Sequence, residues 1–356
     1  MRTEPLTLVQ VVPPGPGGVR DCADCLQAEW QRRGTPSTVL DLSKDSAREC
    51  PLLERIERTR AGAAETPRSP RLAVVLHYSG YGYGQRGLCF WLLDQLRALR
   101  AHHRDALRLV VVFHELYASG PPWRSAFWLM PAQAWIAARL AGSADASWTN
   151  SEHHARWLRQ QMPATAPLHV CPVFSNVGEP GPGPTWTDRL PQAVVFGSAS
   201  TRQRTFDALS PREGLLRQIG IEAIIEVGPG AASVRGRGAL RRQHVGRLDT
   251  SALGQLLHTS RFGLLDYPST MLGKSGVLAA YAAHGCTVLN TRPCGADTDG
   301  LAAGRDYLAL QSLETATGTP GIGNAEHQDM ASRLSAWYAD HRLARQADEL
   351  LARCLA

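Results

Sequence analysis

Residues 71–99 read RLAVVLHYSGYGYGQRGLCFWLLDQLRAL. The near-continuous apolar run 71–78 is the pattern of a strand covered on both faces. A glycine-rich loop follows, then a helical pattern over 88–101. Gly82, Gly84 and Gly87 fall at the G-x-G-x-x-G spacing of dinucleotide sites. That chemistry needs an acidic residue at the end of the next strand, about 20 residues on, to hold a ribose. Here the next strand ends in Phe113-His114-Glu115 and presents a histidine at its tip. At least two strands precede the loop, and Tyr81 and Tyr83 stand between its glycines. These features favour a loop lining a ligand cleft over a dinucleotide-dependent oxidoreductase. The glycines allow close backbone approach, the helix start at Arg86-Gly87 offers amides, and the tyrosines offer faces to a sugar ring or acceptor.

The same strand–loop–helix unit recurs in both directions. Upstream are a strand over 6–12, the loop PPGPGGV, a helix ending at Gly34 and a strand over 37–42. Downstream are a strand over 107–117, a helix over 124–141, a strand over 144–151, a helix over 152–161 and a strand over 168–174. Residues 176–192 are rich in Gly and Pro and have the composition of a linker. A second series then begins, with strands over 193–198, 221–228, 243–248, 261–267 and 286–291 and helices over 210–219, 250–258 and 275–284. The pattern predicts an α/β protein of two doubly wound, Rossmann-like domains facing a cleft. The expected parts are a first domain over 1–175, the linker 176–192, a second domain over 193–325, and helices over 326–356.

Composition narrows the function classes. The 356 residues are 44% hydrophobic and 20% charged, which is globular rather than disordered. A net charge of +6 is modest for this length, and only Arg235–Arg242 is densely basic. This points to anionic groups handled locally, not to a nucleic-acid partner. No apolar run approaches the roughly 20 residues of a transmembrane segment. The first residues lack the features of a secretory signal, so a cytoplasmic protein is expected. Cys22-x-x-Cys25 is the only tight cysteine pair. It has no second pair or histidine pair near it in sequence, so neither a zinc site nor any other metal is expected.

Three stretches could carry chemistry. His114 and Glu115 stand where a parallel strand delivers side chains to the ligand edge. An adjacent pair does not face one way on a strand, and His114 suits a hydrogen bond to a hydroxyl or proton transfer near neutral pH. Gly273-Lys274-Ser275-Gly276 opens a helix after Asp266 and Tyr267. It resembles the end of a phosphate-binding loop, but Pro268 stands where that motif needs its first glycine. A helix N-terminus with Lys274 beside it still suits a diphosphate. Ser200, Thr201 and Arg202, in the basic run after the second series' first strand, could reach the same phosphates.

Together the glycine loop PPGPGGV, the histidine-ended strand in VVFHELYA…ADASWTNSEHHARWL, and VGRLDTSALGQLLHTSRFGLLDYPS…GVLAAYAAHGCTVL resemble the GT-B glycosyltransferases, closest to glycosyltransferase family 4. The resemblance covers nearly the whole chain and is most specific over 244–290. It implies metal-independent, retaining transfer of a sugar from a nucleotide diphosphate sugar, with no cofactor besides that donor. The acceptor class is a small molecule, a glycan or a lipid-linked molecule. By position, Gly17 and Gly18 match the first-domain glycine loop, His114 matches the histidine that contacts the donor sugar, and Lys274 falls in the donor loop. Tyr81, Gly82, Tyr83, Gly84 and Arg86 would shape the acceptor side. The last helices of such enzymes return to the first domain, which the resemblance extends to 326–356. The two glutamates of the family pattern align with Met271 and Ala279, so both carboxylates are missing. A non-catalytic nucleotide- or sugar-binding relative and a sugar-nucleotide epimerase are the alternatives.

Overall fold

The computed structural model describes residues 6–62, 71–232, 240–315 and 323–356. Most of the dense basic cluster, residues 235–239, lies outside the described residues. The chain forms two compact units. The first runs to Cys171 and takes in Leu343–Ala356; the second is Pro172–Arg342.

The first unit is built on six parallel strands: β1 (Leu6–Val12), β2 (Ser37–Asp41), β3 (Arg71–Tyr78), β4 (Leu107–Phe113), β5 (Ala146–Thr149) and β6 (Leu168–Val170). Their order is β2-β1-β3-β4-β5-β6. Val9 pairs with Thr38 on one side and Val74 on the other, and Leu76 pairs with Val111. Val9, Val74, Leu76 and Val111 are buried with Leu92, Leu96 and Ile136 of the covering helices. Burial on both faces explains why the central strands read as unbroken Val and Leu runs. The segment from Leu343 belongs to this unit through specific bonds. Trp30, with no exposed surface, donates its indole N–H to the Ala347 carbonyl at 2.8 Å. His169 meets Glu349 at 2.8 Å.

The second unit repeats the plan with β7 (Leu190–Phe196), β8 (Ala223–Val227), β9 (Arg241–His244), β10 (Ser260–Leu265), β11 (Thr287–Asn290) and β12 (Leu308–Ala309). All pair in parallel in the order β12-β11-β10-β7-β8-β9. Tyr281 locks the helix Gly276–Ala283 onto this sheet, donating its hydroxyl to the carbonyls of Val194 and Leu264. In each sheet the strand order reverses at one crevice, between β1 and β3 and between β7 and β10. Ligands of doubly wound sheets bind at such points, beyond the carboxyl ends of the strands.

The α/β reading and the two parallel sheets agree with the sequence, while several local expectations do not. The Gly/Pro-rich stretch 176–192 lies within the second unit, where Trp186 is buried against Phe262 and β7 already starts at Leu190. The C-terminal helical run breaks into Asn324–Ala339 and Leu343–Leu355. The first of these packs in the second unit's core through Leu334 and Tyr338, so only the second joins the first unit. The basic run over 197–204 is not a loop as expected but starts the helix Ala199–Leu209. Its buried side begins with Arg202 and Thr205 instead of apolar residues, so hydrophobic periodicity gives no signal there.

His327 sits between Trp186 and Phe262 with no exposed surface. Burial holds its pKa down at about 4, against an unfolded value near 6.5. Between these values the unfolded chain binds a proton that the folded chain refuses. His327 therefore makes stability fall as pH drops from about 6.5 towards 4. Denaturant titrations across that range should show less acid sensitivity in a His327→Gln variant.

Candidate functional site

At the first crevice, three strands contribute to one buried polar chain. Gln10 of β1 donates its amide N–H groups to the Ala23 carbonyl and the Ser37 hydroxyl, both at 3.1 Å. Its Oε1 must then accept from His77 Nε2, 3.0 Å away on β3. In a neutral ring this leaves His77 Nδ1 as an acceptor. His114 Nε2, at 3.1 Å, supplies the proton, and Nδ1 of His114 becomes the acceptor of that ring. Burial drives the His77 pKa well below its ordinary value, and the neighbouring His114 adds to this, so the neutral assignment holds near pH 7. The strand thus delivers a histidine of fixed tautomer.

His114 lies just past the end of β4 and is buried, its amide donating to the Tyr78 carbonyl. Glu115 is half-buried and accepts from the Ser79 hydroxyl at 3.1 Å. The pair diverges, as alternation along an extended chain requires. Cys22 also approaches this point. A Cys22 sulfur and one nitrogen each of His77 and His114 lie within 4.8 Å of one another, a set able to hold a soft divalent cation. No spacing along the chain signals it, because Cys22 lies on the helix Gly18–Arg32 and the histidines come from β3 and the end of β4. Burial pushes the Cys22 thiol well above its ordinary pKa.

The glycine loop serves packing more than ligand approach. A Cβ on Gly82 would fall 2.6 Å from Pro13 Cβ, so this loop closes directly over the β1 loop. A Cβ on Gly84 would collide with the Leu88 carbonyl. Gly87 has φ +74° and lies under Gln133, whose amide donates to the Arg86 carbonyl at 2.7 Å. Tyr83 is a correction: it is buried and donates its hydroxyl to the Val11 carbonyl at 3.1 Å, so it offers no face to a ligand. Tyr81 remains about half exposed, and Arg86 is exposed. Across the crevice Gly17, with φ +150°, caps the helix Gly18–Arg32, and nothing lies within 4 Å of a Cβ built on Gly17 or Gly18.

At the second crevice, two helix N-termini converge. Ser198 caps Ala199–Leu209 by accepting from the Thr201 amide. Ser275 caps Gly276–Ala283 by accepting from the Leu278 amide. A Cβ on Gly197 would lie 3.5 Å from Val277, which brings the two first turns together. First-turn amides have no intrahelical acceptor, and both dipoles present their positive ends there. The Ser198 hydroxyl bonds those of Ser200 and Thr201 at 3.1 and 2.8 Å. Asp266, buried at the end of β10, is held by Arg204 at 2.7 Å, Arg292 at 3.2 Å and the Thr291 hydroxyl at 3.0 Å. Two half-exposed guanidiniums on one carboxylate leave a net positive charge beside the helix starts. Tyr267 is tied to Asn290 through its amide and carbonyl. Lys274 is half-buried next to Ser275, and the Gly273 amide donates to Asp299 at 3.0 Å.

Arg202 is the second correction. It is 1% exposed, bonds Glu226 and donates to the carbonyls of Pro229 and Gly230. It fastens the loop after β8 and cannot also hold a phosphate. Arg204 and Arg292, half-exposed on Asp266, are the guanidiniums that lie near the helix starts. Sequence reasoning passed over Arg292; the signal that could have found it is its position just past the carboxyl end of β11 at Asn290. At the positions of the two missing carboxylates, Met271 is half-buried and Ala279 lies in the core.

The fold is GT-B. The chain is similar to an alpha-glucosyltransferase in complex with UDP, at TM-score 0.60 and 10% identity, covering 98% of this chain and 99% of that one. It is similar to an alpha,alpha-trehalose 6-phosphate synthase from Burkholderia multivorans, at TM-score 0.58 and 12% identity over 98% and 97% of the chains. An alpha-glucosyltransferase in complex with UDP-glucose and DNA containing an abasic site aligns at TM-score 0.57 and 11% identity, over 98% of each chain. No protein-family model matches the sequence, and no curated protein matches it. At such identities the likeness establishes the architecture, and the GT-B plan accounts for both sheets and both reversal points. None of the described helices is long and apolar enough to cross a membrane.

Proposed function

We propose that the protein is a glycosyltransferase that moves a sugar from a nucleotide diphosphate sugar, with a uridine nucleotide as the first candidate donor. The observation that carries this reading is the meeting of two capped helix N-termini with Arg204, Arg292 and Lys274 at the β7/β10 crevice. Fixed amides and cations aimed at a leaving diphosphate stabilise the charge that develops as the glycosidic bond breaks. In this reading such stabilisation takes the part of a metal ion. Lys274, Ser275, Gly276, Ser200 and Thr201 contact the diphosphate, with Gly273, Asp266 and Tyr267 shaping the crevice. His114 accepts a hydroxyl of the transferred sugar and Glu115 lies beside it. The loops at Gly17-Gly18 and Tyr81–Arg86 serve the acceptor. The UDP and UDP-glucose bound to the similar structures support the choice of donor. Retention of anomeric configuration is part of the proposal and follows the family resemblance.

The test is thermal stabilisation by UDP, GDP, ADP, dTDP and CDP. A ligand at about 100 times its Kd adds roughly 2.7 kcal/mol to stability, which a melting curve resolves easily. Lys274→Ala should weaken the preferred nucleotide about tenfold, the loss expected for one charge-assisted contact. If none of the five nucleotides shifts the melting temperature, the reading fails.

A further inference from the structure

Among the described residues, eight large hydrophobic side chains are exposed, and six of them belong to one region of the first unit: Tyr81, Phe90, Trp123, Phe127, Trp128 and Trp135. Trp123 is 83% and Trp128 71% exposed. The helix Ser125–Ser143 explains how this arises. Its inner face, with Ile136, Ala137, Leu140 and Ala141, is buried in the usual way. Its outer face repeats at helical spacing as Trp128, Pro131, Trp135 and Arg139, all exposed. Arg124 stands exposed at the N-cap of the same helix. Phe90 of the preceding helix packs on Trp135, with ring centroids 5.8 Å apart, and widens the patch. Solvent-facing helix surfaces are normally polar, so contiguous aromatic exposure marks an interaction surface.

We infer that this face docks the protein on an anionic lipid membrane surface. Two observations select that occupant. The residues are mainly tryptophan and phenylalanine rather than aliphatic. The amphipathic rings of tryptophan and tyrosine settle at the level of lipid headgroups, and phenylalanine adds apolar area beneath them. Along the segment that carries the tryptophans the charge is also one-sided: between Glu115 and Asp145 the only charged side chains are Arg124 and Arg139, and Asp94 on the neighbouring helix is paired with Arg97. Arg139 lies over the Trp135 ring at 5.7 Å, which places a cation at the edge of the aromatic face. The Trp128 indole N–H already donates to the Pro122 carbonyl at 2.8 Å, so the ring is held in position although its surface is open. A rigid aromatic wedge flanked by arginine suits an interface of acyl chains and anionic headgroups.

Flotation of the full chain with phosphatidylcholine vesicles, with and without phosphatidylglycerol, tests this. The protein should float with the anionic vesicles and less with the neutral ones. A Trp123→Ala/Trp128→Ala variant, which alters only exposed side chains, should bind roughly tenfold more weakly. Arg124→Gln/Arg139→Gln should lose about fivefold per arginine on anionic vesicles and little on neutral ones. Absence of flotation, or flotation indifferent to both variants, overturns the inference. So does a dimer in light scattering that the tryptophan variant dissolves while vesicles are ignored, since the face then belongs to a second copy of this chain. Nucleotide stabilisation read on the same samples is independent of these outcomes.

Discussion

Glu226→Ala is expected to lower the unfolding free energy by about 3–5 kcal/mol, the cost of stranding a buried charge. Glu226 is 6% exposed and accepts from Arg202 and from the Ala232 amide at 2.9 Å. Without the carboxylate, the Arg202 guanidinium keeps only the carbonyls of Pro229 and Gly230 as its bonding partners in this loop. It has no room to move towards solvent, because Gly228 presses its Cα side on the guanidinium and a Cβ there would fall 2.8 Å from Cζ. Replacing both partners together, as Arg202→Met/Glu226→Leu, should recover much of the loss, because no unpaired charge is left. Urea denaturation of the two variants measures this. A stable Arg202→Ala protein that had lost nucleotide binding would return Arg202 to the phosphate site.

His114→Ala should reduce the rate of donor turnover about 100-fold, the scale of a lost positioning or proton-transfer group. Nucleoside diphosphate affinity should stay nearly unchanged, because the residues proposed to hold the diphosphate come from other elements. The informative control is Gln10→Leu. Gln10 supplies the acceptor that fixes the His77 tautomer, and His77 in turn fixes His114. If His114 works through Nδ1, Gln10→Leu should lower kcat with less effect on KM and should move the acid limb of the pH profile. A purely structural Gln10 would lower stability and leave the profile in place. Donor hydrolysis supplies the rate where the acceptor has yet to be found.

The architecture was legible because parallel strands buried on both faces leave an unmistakable pattern. VVL and VVV runs alternating with amphipathic segments permit few other folds. The candidate site was legible in part, and the boundary follows the physics of each residue. His114 could be placed because strand ends face ligands in this architecture. Its partners could not, since strand pairing joins His77 to His114 across 37 positions and Gln10 to His77 across 67, while Cys22 comes from the helix Gly18–Arg32. Arg202 was misplaced because a basic residue near a helix start reads the same whether it meets phosphate or a carboxylate from the neighbouring strand. Tyr83 was misplaced for a similar reason: spacing along four residues of loop does not tell which tyrosine turns inward. The glycine spacing around it is accounted for by close packing of two loops, Gly82 on Pro13.

The return of Leu343–Ala356 to the first unit sets an order on synthesis. The second unit is continuous in sequence and can acquire all its strands while the ribosome is still reading the last helix. The first unit emerges earlier yet waits longest, because Trp30 and His169 find their partners only after Ala347 and Glu349 have left the exit tunnel. Domains usually mature in the order they are made. Here the unit made first is completed last, and until then the Trp30 indole N–H lacks the Ala347 carbonyl that accepts from it in the folded unit.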